Sequence, residues 1–338
     1  MEHIETVTSA QRAGSATKVP SRAHLAEVEA LTDALTQTIA QVIEGKTEVI
    51  RTALTVLLAG GHLLLEDVPG VGKTMLAKAL AKAIDTPMRR IQFTPDLLPS
   101  DITGVSVFNQ DTRQFEFRPG AIFANVVVCD EINRASPKTQ SAVLESMEEG
   151  QVTIDGTTHQ LARPFLVVAT QNPLEMEGTY PLPEAQRDRF MARLSMGYPS
   201  PQAEMAMLDS HGSHRPLSQL RPVTDGATIE AYVEVVRGVY TSAALKQYVV
   251  DLVGASRSTP ALRLGASPRA SLHLLRACRA KAAMEGRDHV LPDDVRALFV
   301  PVLEHRVLLS AESHLVSRTT SAALRDLIDQ VPIPTAHA

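Results

Sequence analysis

Residues 67–74 read Asp-Val-Pro-Gly-Val-Gly-Lys-Thr and lie between two contrasting segments. Before them stands a short apolar run, Leu63, Leu64 and Leu65; after them apolar residues recur as Met75/Leu76, Ala79/Leu80 and Ala83/Ile84, one face of a helix. Strand, glycine turn, helix is the order a phosphate-binding loop requires. Gly70 and Gly72 tolerate positive φ and close backbone approach, so successive N–H groups can converge on phosphate oxygens. The following helix adds its positive N-terminal end. Lys73 can reach the β- and γ-phosphates, and the Thr74 hydroxyl can ligate Mg²⁺. The stretch matches G-x-x-x-x-G-K-[ST] except at its first position, where Asp67 replaces glycine. Asp67, Pro69, Gly70, Val71, Gly72, Lys73, Thr74 and Met75 are the expected nucleotide contacts. A chance turn before a helix is the competing reading, and the context counts against it.

Asp130 and Glu131 follow the run Val126-Val127-Val128-Cys129. Two adjacent carboxylates at the end of a buried strand are costly without a cation or donors to compensate them. The carboxyl end of strands in an open α/β sheet is also where ligands bind. Asp130 is therefore expected on the metal side, with Thr74, and Glu131 as base or orienter of an attacking water. Asn172 ends the next strand-like run and is placed to position that water. Arg189 and Arg269 are the candidates for neutralising charge on a transferred phosphoryl group; taken singly, either could be a surface ion-pair partner.

Other features carry less. His211 and His214 have a ligand-like spacing but no third partner nearby. Five of the eight phenylalanines, Phe93, Phe108, Phe115, Phe117 and Phe123, fall in one stretch, either packing an insertion or reaching a substrate. Cys129 and Cys278 are too few for a disulfide framework and fit a reducing compartment.

A chain of 338 residues allows about two domains. Strand-like runs at 90–93, 124–129, 165–170 and 190–194 alternate with helical segments, and the first three read as apolar on both faces. Helical spacing over 25–58, broken near Gly45, predicts two helices ahead of them. Two hairpins interrupt the alternation, at 105–118 and 151–161, the second turning at Asp155-Gly156. Beyond residue 200 helical periodicity dominates. Ser267, Pro268 and Gly286 mark the cap, first turn and stop of one helix, and another is expected to start near Pro292. The expected organisation is a disordered tail over 1–27, an α/β core over 28–199, a helical lid over 200–332 and a short tail over 333–338. No apolar run reaches the roughly 18 residues that cross a bilayer, and the polar N-terminus lacks an h-region, so the expected location is cytoplasmic. The net charge of −5 gives no electrostatic reason to expect nucleic acid.

Residues 63–77, 126–147, 165–190 and 264–280 together resemble the MoxR family of AAA+ ATPases. The phrases Asp130-Glu131-Ile132-Asn133-Arg134-Ala135 and Gly178-Thr179-Tyr180-Pro181-Leu182-Pro183-Glu184-Ala185-Gln186 are specific to it. The resemblance implies an AAA+ P-loop NTPase αβα sandwich with a parallel sheet and a small all-helical lid. It puts Lys73 and Thr74 on Walker A, Asp130 and Glu131 on Walker B, Asn172 on sensor 1, Arg269 on sensor 2 and Arg189 on the arginine offered to a neighbouring subunit. Arg187, where relatives carry an apolar residue, is the alternative to Arg189. Val42 and Ile43 fall on the adenine-side segment, where Lys46 replaces the usual Gln. The hairpins fall on a helix-2 insert (94–119) and a pre-sensor-1 hairpin (150–161). ATP and Mg²⁺ as cofactors, a hexameric ring, and a protein client with a von Willebrand factor A partner are further implications. A helicase-type motor and the ATPase subunit of a metal chelatase are the alternatives, and the absence of Lys and Arg from 151–161 argues against the first.

Overall fold

The computed structural model describes residues 19–172, 179–202, 204–205 and 216–334. His211 and His214, with most of the expected N-terminal tail, lie outside them.

The polypeptide opens with two helices, α1 (Arg22–Ala40) and α2 (Thr47–Leu58). The Ser21 hydroxyl accepts from the His24 N–H at 3.2 Å and caps α1. Helix therefore starts at Arg22, earlier than the residue 28 at which the core was expected to begin. Strand β1 (Leu63–Glu66) then leads through the glycine turn into α3 (Lys73–Ala83).

Four further strands complete the main sheet. They are β2 (Met88–Gln92), β5 (Val126–Asp130), β8 (Leu166–Gln171) and β9 (Ala192–Leu194). Their spatial order is β2-β5-β8-β1-β9, and every neighbouring pair is parallel. Parallel strands need crossovers, which α3, α5 (Pro137–Glu149) and the short α6 (Glu184–Arg187) supply.

Alternation along the strands separates two apolar layers. Leu63, Leu65, Val126, Val128 and Val168 face α1, α2 and α3, whereas Leu64, Val127, Cys129, Val167 and Ala169 join Val143, Leu144 and Met147 of α5. Strands buried on both faces read as continuous apolar runs, as expected for β1, β5 and β8. For β2 that expectation fails. It is the edge strand, and only Ile91 of its five residues is buried. Its exposed polar residues, Arg89, Arg90 and Gln92, suit that position.

Two antiparallel hairpins project from this frame. One pairs β3 (Gly104–Asn109) with β4 (Gln114–Pro119), after the single helical turn α4 (Pro99–Thr103); the other pairs β6 (Gln151–Ile154) with β7 (Thr157–Gln160). Asp155 and Gly156 take φ of 49° and 78°, the left-handed pair that a tight two-residue turn requires.

The remainder is mainly helical. Helices Gly226–Arg237, Ala243–Ser258, Pro268–Met284, Pro292–Leu303 and Thr320–Gln330 share one apolar cluster with α1, α2 and α3. Ser267 caps its helix by accepting from Arg269 N–H at 3.1 Å, as its sequence position suggests. A small pair, β10 (Leu262–Leu264) with β11 (Leu308–Leu309), is the one sheet element among the described lid residues that periodicity did not announce.

Candidate functional site

In a sheet of parallel strands, all C-terminal ends share one edge. The loop after β1, Asp130 ending β5, and Asn172 just beyond β8 therefore meet there. Gly70 and Gly72 have φ of 85° and 93°, and a Cβ on either would meet nothing within 4 Å, so the backbone rather than crowding selects glycine. Gly72 is the left-handed N-cap of α3, so the N–H groups of the helix's first turn are directed at the glycine turn. Lys73 Nζ donates to the carbonyls of Asp67 and of Gln171, the latter at 3.4 Å. The lysine is thereby held across the mouth of the loop.

Asp67 was expected among the nucleotide contacts, and its carboxylate serves the loop. Oδ2 accepts from the Ser195 hydroxyl and the Gly197 N–H, both at 2.7 Å, and Oδ1 accepts from Val68 N–H at 2.8 Å. Partial burial pushes this carboxyl up, but the three hydrogen bonds and nearby Lys73 outweigh it and hold it below its ordinary range. Lys46 Nζ donates to the Tyr198 carbonyl at 2.9 Å, bringing the segment of Val42 and Ile43 alongside the same stretch.

The acidic pair is equally constrained. Asp130 Oδ1 accepts from the Thr170 hydroxyl at 2.5 Å; Oδ2 accepts from Thr74 Oγ1 at 3.3 Å and from Arg90 Nε and Nη2 at 2.9 and 2.6 Å. Burial raises the Asp130 carboxyl, and these donors together with the Arg90 charge more than reverse the effect, keeping it ionised. Glu131 sits at φ 57°, a left-handed conformation that costs a non-glycine residue about 1–3 kcal/mol. Its N–H donates to Thr170 Oγ1 at 3.0 Å, and its carboxylate meets Gln92 Nε2 and Arg134 Nε, each at 3.0 Å. Asn172 is buried beside this pair's strand. Hydroxyl and carboxylate oxygens are the hard donors that Mg²⁺ takes, usually together with water and substrate phosphates. Among the described residues no cluster of three or more His, Cys, Asp or Glu could hold a metal ion.

The two arginines lie elsewhere. Arg189 donates to the Leu144 carbonyl and pairs with Glu148 at 3.2 Å; Arg269 pairs with the same glutamate and approaches Asp188 at 3.8 Å. With Gly61 and His62 they line a cavity of about 500 Å³. Gly61 and His62 precede β1, so this cavity is at the N-terminal edge of the sheet. It is separated from Lys73 by a strand's length, roughly 13 Å. An Arg269 folded over its own chain's phosphate loop is not the arrangement found. His62 fixes this edge: Nε2 donates to Met147 O at 3.1 Å and Nδ1 accepts from Val167 N–H at 3.0 Å, while burial drives its pKa to about 4. Asp188 ties the helical region to the arginine-bearing segment, accepting from Ser267 Oγ at 2.8 Å and from buried Arg306 at 3.0 Å. The Nε of Arg187 is buried with no hydrogen-bond partner among the described residues.

Arg90, Gln92, Thr170, Ser195, Glu148 and Asp188 were not singled out from sequence. Arg90 and Gln92 carried one available signal: on a strand, positions i and i+2 share a face.

A five-stranded parallel sheet with a lysine-bearing glycine turn and an acid pair at one edge defines a P-loop ATPase of the AAA+ class. The family described as ATPase family associated with various cellular activities (AAA) matches residues 62–192, and the AAA lid domain matches 254–327. Chaperone MoxR1 of Mycobacterium tuberculosis is 39% identical over 322 residues, 93% of this chain and 85% of its own. Protein MoxR of Paracoccus denitrificans is 33% identical, over 87% and 94% of the two chains. An uncharacterised Bacillus subtilis protein, YeaC, is 49% identical over 88% and 93%. The crystal structure of a candidate ATPase from Cytophaga hutchinsonii superposes with a TM-score of 0.86 at 36% identity, covering 93% of this chain and 98% of the other. The chain belongs to the MoxR family of AAA+ ATPases. No helix among the described residues is long and apolar enough to cross a membrane.

Proposed function

We propose that this protein hydrolyses ATP with Mg²⁺ and uses the resulting motion, within a ring of identical subunits, to remodel a protein partner. The observation that carries the reading is the convergence of Lys73, Thr74, Asp130, Glu131 and Asn172 at the carboxyl edge of one sheet. In this reading the N–H groups of residues 70–74 cradle the phosphates and Lys73 neutralises the β- and γ-oxygens. Thr74 and Asp130 hold the metal side, Asn172 orients a water, and Glu131 takes its proton. Bound Mg²⁺ supplies charge neutralisation on the phosphates. Val42 and Ile43 border the adenine. The core corresponds to residues 22–199, with α1 included from its first turn, and the lid to 200–332.

The position of Arg189 and Arg269 supports a site shared between subunits. Both stand at the sheet edge opposite their own phosphate loop, on one glutamate, so a neighbour's triphosphate is the phosphate they can reach. In a hexamer each interface would carry one such pair. Asp188 and Arg306 couple the lid to the same segment, so lid movement and arginine delivery are mechanically linked. A von Willebrand factor A domain protein is the partner type proposed, and a cytoplasmic location goes with it. The relative named as a chaperone is in keeping with remodelling. A nucleic-acid motor is less well supported, since β6 and β7 carry no Lys or Arg.

Glu131→Gln tests the reading. ATP binding should persist, turnover should fall on the order of 10²-fold or more, and an ATP-bound oligomer should accumulate that captures the client. Unchanged turnover would remove Glu131 from its assigned role.

A further inference from the structure

Strand β2 lies beside β5, with Arg90 opposite Val128 and Gln92 opposite Asp130. From there the Arg90 guanidinium sets both Nε and Nη2 on one oxygen, Asp130 Oδ2, at 2.9 and 2.6 Å. That is the oxygen to which Thr74 Oγ1 donates at 3.3 Å. Thr74 and Asp130 are the pair whose chemistry suits a divalent cation. A metal seated between them would meet an oxygen that the Arg90 guanidinium already holds.

The two side chains differ in freedom. Asp130 is enclosed, its side chain 12% exposed and its other oxygen bound to Thr170, whereas Arg90 is 48% exposed on the edge strand. Of the two, the arginine is the one that can move. A second acceptor also waits for it: Nη2 donates to Gln92 Oε1 at 2.6 Å, so the guanidinium can release the carboxylate and keep a partner on its own strand.

We propose that Arg90 is a built-in cation that closes Asp130 in the nucleotide-free protein and competes with Mg²⁺ for it, thereby setting how much magnesium the site needs to retain nucleotide. This rests on the reading of Thr74 and Asp130 as the metal side of the site. Arginine suits the task better than lysine, because two donors in a fixed plane grip a single oxygen while the charge stays weakly hydrated. A partly exposed ion pair of this kind biases a competing equilibrium about three- to tenfold. The competition also has a use: an empty site keeps its buried carboxylate compensated, and it discriminates against free metal arriving without phosphate.

The test is binding, independent of turnover. Fluorescent N-methylanthraniloyl-ADP is titrated into the full chain over a series of MgCl₂ concentrations, for the native protein, Arg90→Gln and Arg90→Lys. The expected result is a half-saturating Mg²⁺ concentration about three- to tenfold lower in Arg90→Gln and about twofold lower in Arg90→Lys. ADP affinity in excess EDTA should stay the same. Should Arg90→Gln fail to fold, the Lys variant decides by the same direction of change. An unchanged or raised magnesium requirement in the folded variants overturns the proposal while leaving the nucleotide site standing. Native protein that binds ADP no better with magnesium than without overturns this proposal together with the metal-side reading beneath it.

Discussion

Asp67 is where this phosphate loop departs from glycine, and its carboxylate explains how the departure is tolerated. It anchors the loop to Ser195 and Gly197, on the strand end next to β1, while its own carbonyl receives Lys73. Removing it leaves the half-buried Val68 and Gly197 N–H groups without their acceptor, which costs on the order of 1 kcal/mol. Asp67→Ala should therefore lower the unfolding free energy by about that much, read as an earlier urea midpoint, and weaken nucleotide binding by loosening the loop. An unchanged midpoint, measured by urea unfolding, would show the anchor to be idle. The meeting of the glycine turn, Lys73, Thr74, Asp130 and Glu131 at one sheet edge was legible in the sequence, because each follows directly on a strand-like run. Ser195, Thr170 and Arg90 were not, because their bonds join residues 128, 40 and 40 positions apart. Nothing local in an Arg-Ile-Gln-Phe run says which strand will lie beside it.

At the scale of elements, alternation and turn chemistry located the five core strands and both hairpins to within a residue or two. They did not reveal that β2 is an edge strand, since strand order follows from crossovers rather than from the strand's own composition. Nor did they show that the two hairpins touch. Phe117 of β4 stacks on His159 of β7, with ring centroids 3.9 Å apart and an 18° interplanar angle, and Phe123 packs edge-on to Phe117 at 5.4 Å. Phe93 is core, as one reading of the phenylalanine cluster held; Phe108 and Phe115, 49% and 73% exposed, fit the other. An aromatic pair adds about 0.5–1.5 kcal/mol beyond its burial. In Phe117→Ala, amide exchange across β6 and β7 should accordingly quicken several-fold. Hydrogen-exchange mass spectrometry showing no change there would mean that the hairpins move independently.

For the whole molecule, the phosphate loop and the two arginines occupy opposite edges of one sheet. In the proposed reading, that separation leaves a single chain with an incomplete site. Arg189 stands just ahead of β9, which gives its edge, but no sequence pattern says on which edge Arg269 falls, because its placement depends on Glu148 and Asp188, far away along the chain. If neighbouring subunits complete each other, mixing inactive Arg189→Ala with inactive Lys73→Ala should recover part of the ATPase rate. No recovery at any mixing ratio would count against a shared site, or turn attention to Arg187. Everything else depends on the nucleotide being held at the carboxyl edge. The most direct measurement is calorimetric titration of ADP with MgCl₂ into the native chain and into Lys73→Ala. Saturable binding with about one nucleotide per chain, lost in Lys73→Ala, is the predicted result; no heat of binding in the native protein, or equal binding in both, would contradict it.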